Sequence, residues 1–272
     1  MSVALRIPYS RLRIIKMSSF QFKQFAINQD RTAMKVGTDG VLLGAWFDAN
    51  GYADHREDMS TFNRHLPLRI LDIGTGTGLL ALMAAQRYPS ANVDAVELDP
   101  DAARQAAENV AESPFGGRIT VYNTDITLFA PSGVYNSIIC NPPYFVDSLR
   151  CPDESRTRAR HDDTLSLDTL VSQAVRLLSD YGTLHVVIPY SELNRFTDIG
   201  HLHNMAPTRI TTVYPTPTAA AKRALITVRY CPSASIAATM PPPTTDRLVV
   251  ELSRHQYTPE YIGLTRQFYL KM

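Results

Sequence analysis

The stretch Leu71-Asp72-Ile73-Gly74-Thr75-Gly76-Thr77-Gly78-Leu79-Leu80 constrains the fold more than any other in the sequence. An apolar strand, Leu68 to Ile73, runs into a glycine turn, and the turn opens an apolar-periodic helix through Leu79, Leu82, Met83 and Ala84. Strand, glycine turn and helix in that order form the local frame in which a bare backbone can approach a nucleotide-like ligand. The glycines fall as G-x-G-x-G, not as the G-x-G-x-x-G of a dinucleotide site, and the strand ends on an acid, Asp72. A carboxylate at that point suits a cationic ligand better than a pyrophosphate. A sulfonium-plus-ammonium ligand such as S-adenosylmethionine meets the requirement, because loop backbone groups can hold its aminoacyl end while the carboxylate offsets its charge.

Two later stretches turn the loop into a site. Val93-Asp94-Ala95-Val96-Glu97 reads as a second strand ending in an acid, where the Glu97 carboxylate can take both hydroxyls of a ribose. Asn141-Pro142-Pro143-Tyr144 follows the strand Ser137 to Cys140, again at a carboxyl end, where open α/β sheets bind ligands. Asp72-x-Gly-x-Gly-x-Gly, the downstream acid and Asn-Pro-Pro-Tyr together resemble the Rossmann-like class I methyltransferases that methylate nitrogen conjugated to a ring or carbonyl. An exocyclic adenine amine is a poor nucleophile, since its lone pair is delocalised into the ring. The Asn141 side-chain carbonyl and the Pro142 backbone carbonyl can accept both amine hydrogens and favour the pyramidal, methyl-accepting geometry. Proline at 142 and 143 removes backbone donors and stiffens the turn. Tyr144 offers a face on which the base stacks. No strong general base is required.

The resemblance sharpens upstream. Phe22-Lys23-Gln24-Phe25, followed by the run from Met34 to Trp46, is similar to the bacterial tRNA1(Val) adenine-N6-methyltransferases. It implies an α/β fold, a Rossmann-like class I methyltransferase. Its seven-stranded, mostly parallel sheet would end in a C-terminal antiparallel hairpin and carry helices on both faces. The cofactor it implies is S-adenosyl-L-methionine, with S-adenosyl-L-homocysteine as product. The implied substrate is the adenosine next to the valine anticodon, adenosine 37, in the anticodon loop of valine tRNA. Cofactor contacts are expected from Asp72, Gly74, Gly76, Gly78, Glu97, Leu98 and Asn141, with Asp125 accepting from the adenine amine and Ile126 packing on the ring. The segment before the glycine loop covers the cofactor in such enzymes, which makes Lys35, Thr38, Asp39 and Gly40 wall residues. Thr38 or Asp39 is also the natural N-cap of a helix turning Val41, Leu42, Ala45 and Trp46 inward.

Elsewhere the chain is less specific. Residues 1–19 carry Arg6, Arg11, Arg13 and Lys16 without a continuous apolar core, and are expected to be a flexible extension, with Met17 an alternative start. Residues 20–272 are expected to form a single domain: a cap segment and loop to 67, a core sheet over 68–230, and a C-terminal strand and helix over 231–272. Phe20 to Phe25 alternates like a short strand. Residues 50–67 are polar and aperiodic, longer than the family's connection. Leu165 to Leu178 reads as an amphipathic helix closed by Asp180-Tyr181-Gly182; Arg209–Tyr214 and Arg223–Tyr230 read as two strands of a hairpin; Arg247 to Glu251 reads as a last strand. Arg150, Arg156, Arg158, Arg160 and His161 lie in an irregular basic loop just after Asn-Pro-Pro-Tyr, well placed to grip phosphates beside a flipped base.

A net charge of +1 neither demands nor forbids an RNA-binding face. Cys140, Cys151 and Cys231 lack metal spacing and read as reduced thiols of a cytoplasmic protein, with no metal, no membrane partner and a monomeric state expected. Asn-Pro-Pro-Tyr also occurs in DNA adenine methyltransferases and in enzymes acting on a glutamine side-chain amide. Against DNA stands the lack of a separate target-recognition domain. Against glutamine stand the segments around Gly37 to Gly40 and Arg150 to His161, which look unlike that family. A non-catalytic RNA-binding module of the same fold is disfavoured by intact Asp72, Glu97 and Asn141.

Overall fold

The computed structural model describes residues 19–32, 34–49, 67–143 and 165–272. The N-terminal arm, the loop over 50–66, Tyr144 and the basic loop from Arg150 to His161 lie outside the described residues.

The run Phe20 to Phe25 is a hairpin rather than one strand: β1 (Ser19–Gln21) pairs antiparallel with β2 (Ala26–Asn28). Its turn closes with the Phe22 N–H donating to the Phe25 carbonyl at 2.9 Å. The aromatic alternation serves packing within the turn and beyond, since the Phe22 ring stacks on Phe25 at 4.7 Å and on Tyr269 at 5.9 Å. Asn109 clamps the hairpin exit by accepting from the Asn28 N–H and donating to the Asn28 carbonyl.

Helix α1 (Thr38–Trp46) follows, buried from Gly40 onward on every side rather than on one stripe. Neither Thr38 nor Asp39 caps it. Gly37 holds the N-cap position without a side-chain bond, and the Asp39 carboxylate accepts from Arg223 Nε at 2.8 Å instead. The ion pair wins because it joins the helix to a strand far along the chain, whereas a cap would satisfy only local donors.

The sheet is built from β3 (Arg69–Ile73), β4 (Asn92–Glu97), β5 (Ile119–Asn123), β6 (Tyr135–Cys140), β7 (Leu178–Pro189), β8 (Met205–Tyr214), β9 (Arg223–Tyr230) and β10 (Thr244–Val249). Their order is β10-β8-β9-β7-β6-β3-β4-β5. Within it only β9 runs antiparallel to its neighbours, β7 and β8; the remaining pairs are parallel. The mostly parallel sheet with its antiparallel hairpin matches the expectation, but the strand count does not: the described residues give the sheet eight strands. The added strand is β10, which pairs parallel with β8 at the edge and begins earlier than Arg247.

From β3 the chain winds outward through β4 and β5, then returns across β3 to β6 and winds the other way. The carboxyl ends of β3 and β6 therefore flank a topological switch point, the crevice where such sheets bind ligands. Helices cover both faces. On one, α1 packs with α2 (Leu79–Arg87), while α3 (Pro100–Ala111) lies against β4, β5 and the entry hairpin. On the other lie α4 (Leu167–Leu177), which buries Leu170, Val171, Ala174 and Leu177, and α5 (Leu193–Leu202), which buries Phe196. Each large apolar side chain so buried contributes roughly 1.5–3 kcal/mol. Ser166 caps α4, accepting from the Thr169 N–H at 3.0 Å, and a register irregularity near the start of β7 has Tyr181, not Gly182, in the left-handed region at φ 62°. A short helix α6 (Ala234–Thr239), the pair β11 (Glu251–Ser253) and β12 (Gln256–Tyr257), and α7 (Pro259–Thr265) complete the chain.

Helices α1 and α2 approach closely at Gly44, where a Cβ would lie 2.5 Å from Met83 Sδ and 3.2 Å from Met83 Cβ. Gly44→Val is expected to cost about 1–3 kcal/mol by overpacking, read as a lower urea midpoint at constant slope. Met83→Ala in the same chain should restore part of that stability.

Candidate active site

The glycine turn keeps its form through three left-handed residues, Gly74 (φ 69°), Gly76 (φ 56°) and Gly78 (φ 83°). A Cβ on Gly74 or Gly76 would meet nothing within 4 Å, so the requirement there is backbone conformation, not space. Strand β4 holds the turn down: the Gly74 and Thr75 N–H groups both donate to the Val96 carbonyl, at 2.9 and 3.1 Å.

Asp72 sits beneath this turn, fully buried. Its Oδ2 accepts from Thr75 Oγ1 at 2.5 Å and from the Ala81 N–H at 3.0 Å, so the strand-end acid supplies the cap that Gly78 cannot give α2. Among the described residues its Oδ1 is buried without a partner. Burial pushes the Asp72 carboxyl up to about 7, against the pull of its two hydrogen bonds and with a smaller push from Glu97. A buried carboxylate with one unsatisfied oxygen gives the site a negative potential. Burial and this neighbouring charge also hold the Cys140 thiol well above its usual range, so it stays protonated and inert.

Glu97 is tied to the same turn. Its Oε2 accepts from the Gly76 N–H at 2.8 Å and its Oε1 from the Asp99 N–H at 3.0 Å, which orients the carboxylate while leaving further lone pairs on both oxygens. No sequence motif points to Asn123, yet its Nδ2 donates to the Glu97 and Leu98 carbonyls at 2.9 and 3.0 Å and fixes that corner. Leu98 is 54% exposed. Asp125 turns its Oδ1 back on the Thr127 N–H and hydroxyl, both at 2.8 Å, and Ile126 is buried in the core beside Phe129.

Across the switch point, Asn141 follows β6 half-buried, Pro142 is buried and Pro143 is exposed. Asn141 Nδ2 lies 3.9 Å from Met34 Sδ. Gly40 makes room for this corner, since a Cβ there would approach Leu79 Cδ2 to 3.1 Å and Asn141 Nδ2 to 3.8 Å. Asn141, Pro142, Lys35, Thr38, Gly40, Gly74 and Gly76 all line one cavity of about 660 Å³. Asp72, Gly78, Glu97, Leu98, Asp125, Ile126 and Pro143 do not: Asp72 is buried beneath the turn, Gly78 ends the turn against Ala106, Glu97, Leu98 and Asp125 stand at or past the carboxyl ends of β4 and β5, and Ile126 packs in the core. Local motifs give no sign of the opposite wall, which Pro189, Val213, Pro215, Lys222, Arg223, Val250 and Glu251 build from the end of β7, the β8–β9 hairpin and the segment that follows β10. The Asp39–Arg223 ion pair ties the two walls together. Among the described residues, no three His, Cys, Asp or Glu side chains cluster to hold a metal.

The chain is similar to known proteins over most of its length. A family model described as the methyltransferase small domain matches residues 59–199. The tRNA1(Val) (adenine(37)-N6)-methyltransferase of Bacteroides fragilis is 46% identical over 256 residues, spanning 93% of this chain and 98% of its own length. The protein of that name from Flavobacterium psychrophilum is 42% identical over 259 residues, 93% of this chain and 100% of its own. Among solved structures, a predicted O-methyltransferase of Agrobacterium tumefaciens superposes with a TM-score of 0.60 at 20% identity, covering 85% of this chain and 96% of that one. TYW2 from P. horikoshii in complex with MeSAdo gives 0.50 at 15% identity, over 77% and 68%. At those identities the two structures support the fold alone.

Proposed function

This chain belongs to the tRNA1(Val) (adenine(37)-N6)-methyltransferase family, and from that premise we propose how its residues divide the work of methylating adenosine 37 in the anticodon loop of valine tRNA. It is an S-adenosylmethionine-dependent tRNA adenine-N6-methyltransferase. The observation that carries the residue assignment is the meeting of Asn141 and the glycine turn on one cavity wall at the switch point of the sheet.

The residues present fit S-adenosylmethionine. Left-handed glycines expose loop backbone, a buried carboxylate oxygen stands unpartnered beneath them, and an oriented acid ends the next strand. When bound, the cofactor supplies an electrophilic methyl on a sulfonium. Gly74 and Gly76 would hold its aminoacyl end over the negative field of Asp72. Glu97 would accept from the ribose hydroxyls, with Leu98, Asp125 and Ile126 around the adenine. Asp125 already commits one oxygen to Thr127, so only its other oxygen is open to a ligand. Lys35, Thr38 and Gly40 wall the cavity on the remaining side.

Asn141 and the Pro142 carbonyl accept the two hydrogens of the target amine, localising its lone pair for attack, and Tyr144 stacks on the base. Pro143 keeps the turn stiff and adds no donor. With His185 walled into the sheet, its ring bonded to Thr183 and Thr227, the described residues offer no imidazole at this site, and the chemistry needs none. Arg150, Arg156, Arg158, Arg160 and His161 are proposed to hold backbone phosphates beside the flipped base. Cytoplasmic placement agrees with the two buried free thiols, Cys140 and Cys231, and no helix among the described residues is long and apolar enough to cross a membrane.

The test is methyl transfer from labelled S-adenosylmethionine to valine tRNA transcript, duplex DNA and a release factor in parallel, with mass spectrometry of the products. N6-methyladenosine from tRNA alone is expected. Label on DNA or on glutamine would overturn the substrate reading, and cofactor binding without transfer to any acceptor would favour a non-catalytic module.

A further inference from the structure

The rim of the cavity carries cations and aromatic rings that the catalytic reading leaves unused. In the sheet ladder Arg223 of β9 stands opposite Pro189 of β7 and Val213 of β8, and Tyr214 stands opposite Val249 of β10. One residue further out, the Tyr190 N–H donates to the Lys222 carbonyl at 3.2 Å, and the Lys222 N–H donates to the Val213 carbonyl at 2.9 Å. Three chain segments thus bring Tyr190, Lys222 and Tyr214 into one row along the carboxyl end of the sheet. Arg247 extends it: its guanidinium lies 4.6 Å from the centroid of the Tyr214 ring. Tyr190 is 43% exposed, and Lys222 and Arg247 are exposed.

The charges on this rim are of two kinds. Arg223 is committed to Asp39 and, further down β8, Arg209 to Asp246, so both act within the fold. Among the described residues, Lys222 and Arg247 have no carboxylate partner. The row therefore alternates ring, cation, ring and cation, and both cations are left to a ligand. Lys222 also lines the catalytic cavity, which makes the row continuous with the site.

We propose that Tyr190, Lys222, Tyr214 and Arg247 form a shelf that binds the single-stranded anticodon-loop nucleotides flanking the target adenine. The rings stack on bases and the cations meet their phosphates. This inference rests on the tRNA reading above. Extruding one base from an RNA loop leaves its neighbours unstacked, and a surface beside the cavity that offers both π-faces and positive charge compensates both losses. A guanidinium stacked on a tyrosine keeps its outer N–H groups directed at a phosphate and loses little freedom on binding. A protein partner would find no broad apolar area on this row, and an acidic peptide would leave the rings without a role.

The experiment measures binding of a fluorescent anticodon stem-loop RNA by anisotropy across a salt series, together with steady-state methylation of valine tRNA. For Lys222→Glu/Arg247→Glu, Kd and KM for RNA are expected to rise about ten-fold or more, and the slope of log Kd against log salt to fall by about 0.7 for each phosphate that is no longer neutralised. Binding of S-adenosylhomocysteine, read by calorimetry on Arg247→Glu alone, should stay within about two-fold, since Arg247 does not line the cavity. Tyr190→Ala should weaken RNA binding while Tyr190→Phe keeps it, because the ring stacks and the hydroxyl is not needed. Variants that bind RNA with unchanged affinity and salt slope, in an enzyme that still methylates tRNA, would overturn the shelf alone. RNA binding that depends on these residues, without methyl transfer by the unmodified protein, would support the shelf and count against the tRNA methylation reading.

Discussion

Replacing Asn141 with alanine is expected to slow methyl transfer by about 10²–10³-fold at saturating cofactor and tRNA, with cofactor affinity changed little. The size follows from removing one preorganised polar partner of the reacting group from a desolvated site. The asymmetry follows from position. Asn141 follows β6 on the cavity wall next to Met34 and Gly40, whereas the groups assigned to the aminoacyl end and the ribose belong to the turn after β3 and to the end of β4. Asn141→Asp keeps an accepting oxygen and should retain more activity than Asn141→Ala. Single-turnover rates together with calorimetry of S-adenosylmethionine binding check both statements. Unchanged rates in the alanine variant would remove Asn141 from the chemistry.

Asp72→Asn is expected to stabilise the free protein near pH 8 while weakening cofactor binding by about ten- to a hundred-fold, the range for losing a bond to a charged group. The amide oxygen can take over both bonds that Oδ2 now accepts, from Thr75 and Ala81, so the loop keeps its shape. What disappears is a buried negative charge. With the native carboxyl pushed up to about 7 and the unfolded one near its ordinary value, the folded state binds the extra proton between about pH 4 and 7. Stability from this group is therefore full below that interval and declines as pH rises through it, by at most about 4 kcal/mol in total.

His185 acts in the opposite sense. Burial pushes its imidazole down to about 3, so only the unfolded chain takes up its proton below about 6.5, and stability falls as the solution is acidified. Wild type should thus show two opposed trends that partly cancel. Asp72→Asn should show only the loss on acidification, seen in thermal unfolding between pH 4 and 8. A variant whose pH profile matches wild type would mean that Asp72 does not titrate in that range.

The residues behind these expectations differ in how plainly the sequence announces them. The glycine turn is legible because its requirements are local: an apolar strand, left-handed positions and a helix opening follow each other within about ten residues. Asn141 and Pro142 are legible for the same reason, and parallel topology carries both to the switch point. The opposite wall is not. Arg223 meets Asp39 across 184 positions of chain, and no local pattern announces that pair. Strand β10 starts before its alternation does, because Thr244 to Arg247 are exposed at the sheet edge. Asp39 has the look of a cap since an acid before an apolar run satisfies that rule locally, while the tertiary ion pair outweighs it. Asp72 reads from the sequence as a charge; its second duty, capping α2 from below, depends on how the turn folds back.

That this cavity methylates the adenine beside the valine anticodon is tested most directly on two transcripts of valine tRNA, one unaltered and one with guanosine in place of adenosine 37. Nuclease mapping and mass spectrometry of the labelled product locate the methyl group. The expected result is N6-methyladenosine at position 37 of the first transcript and no label in the second. Label of equal extent in both, or at any other adenosine, would contradict it.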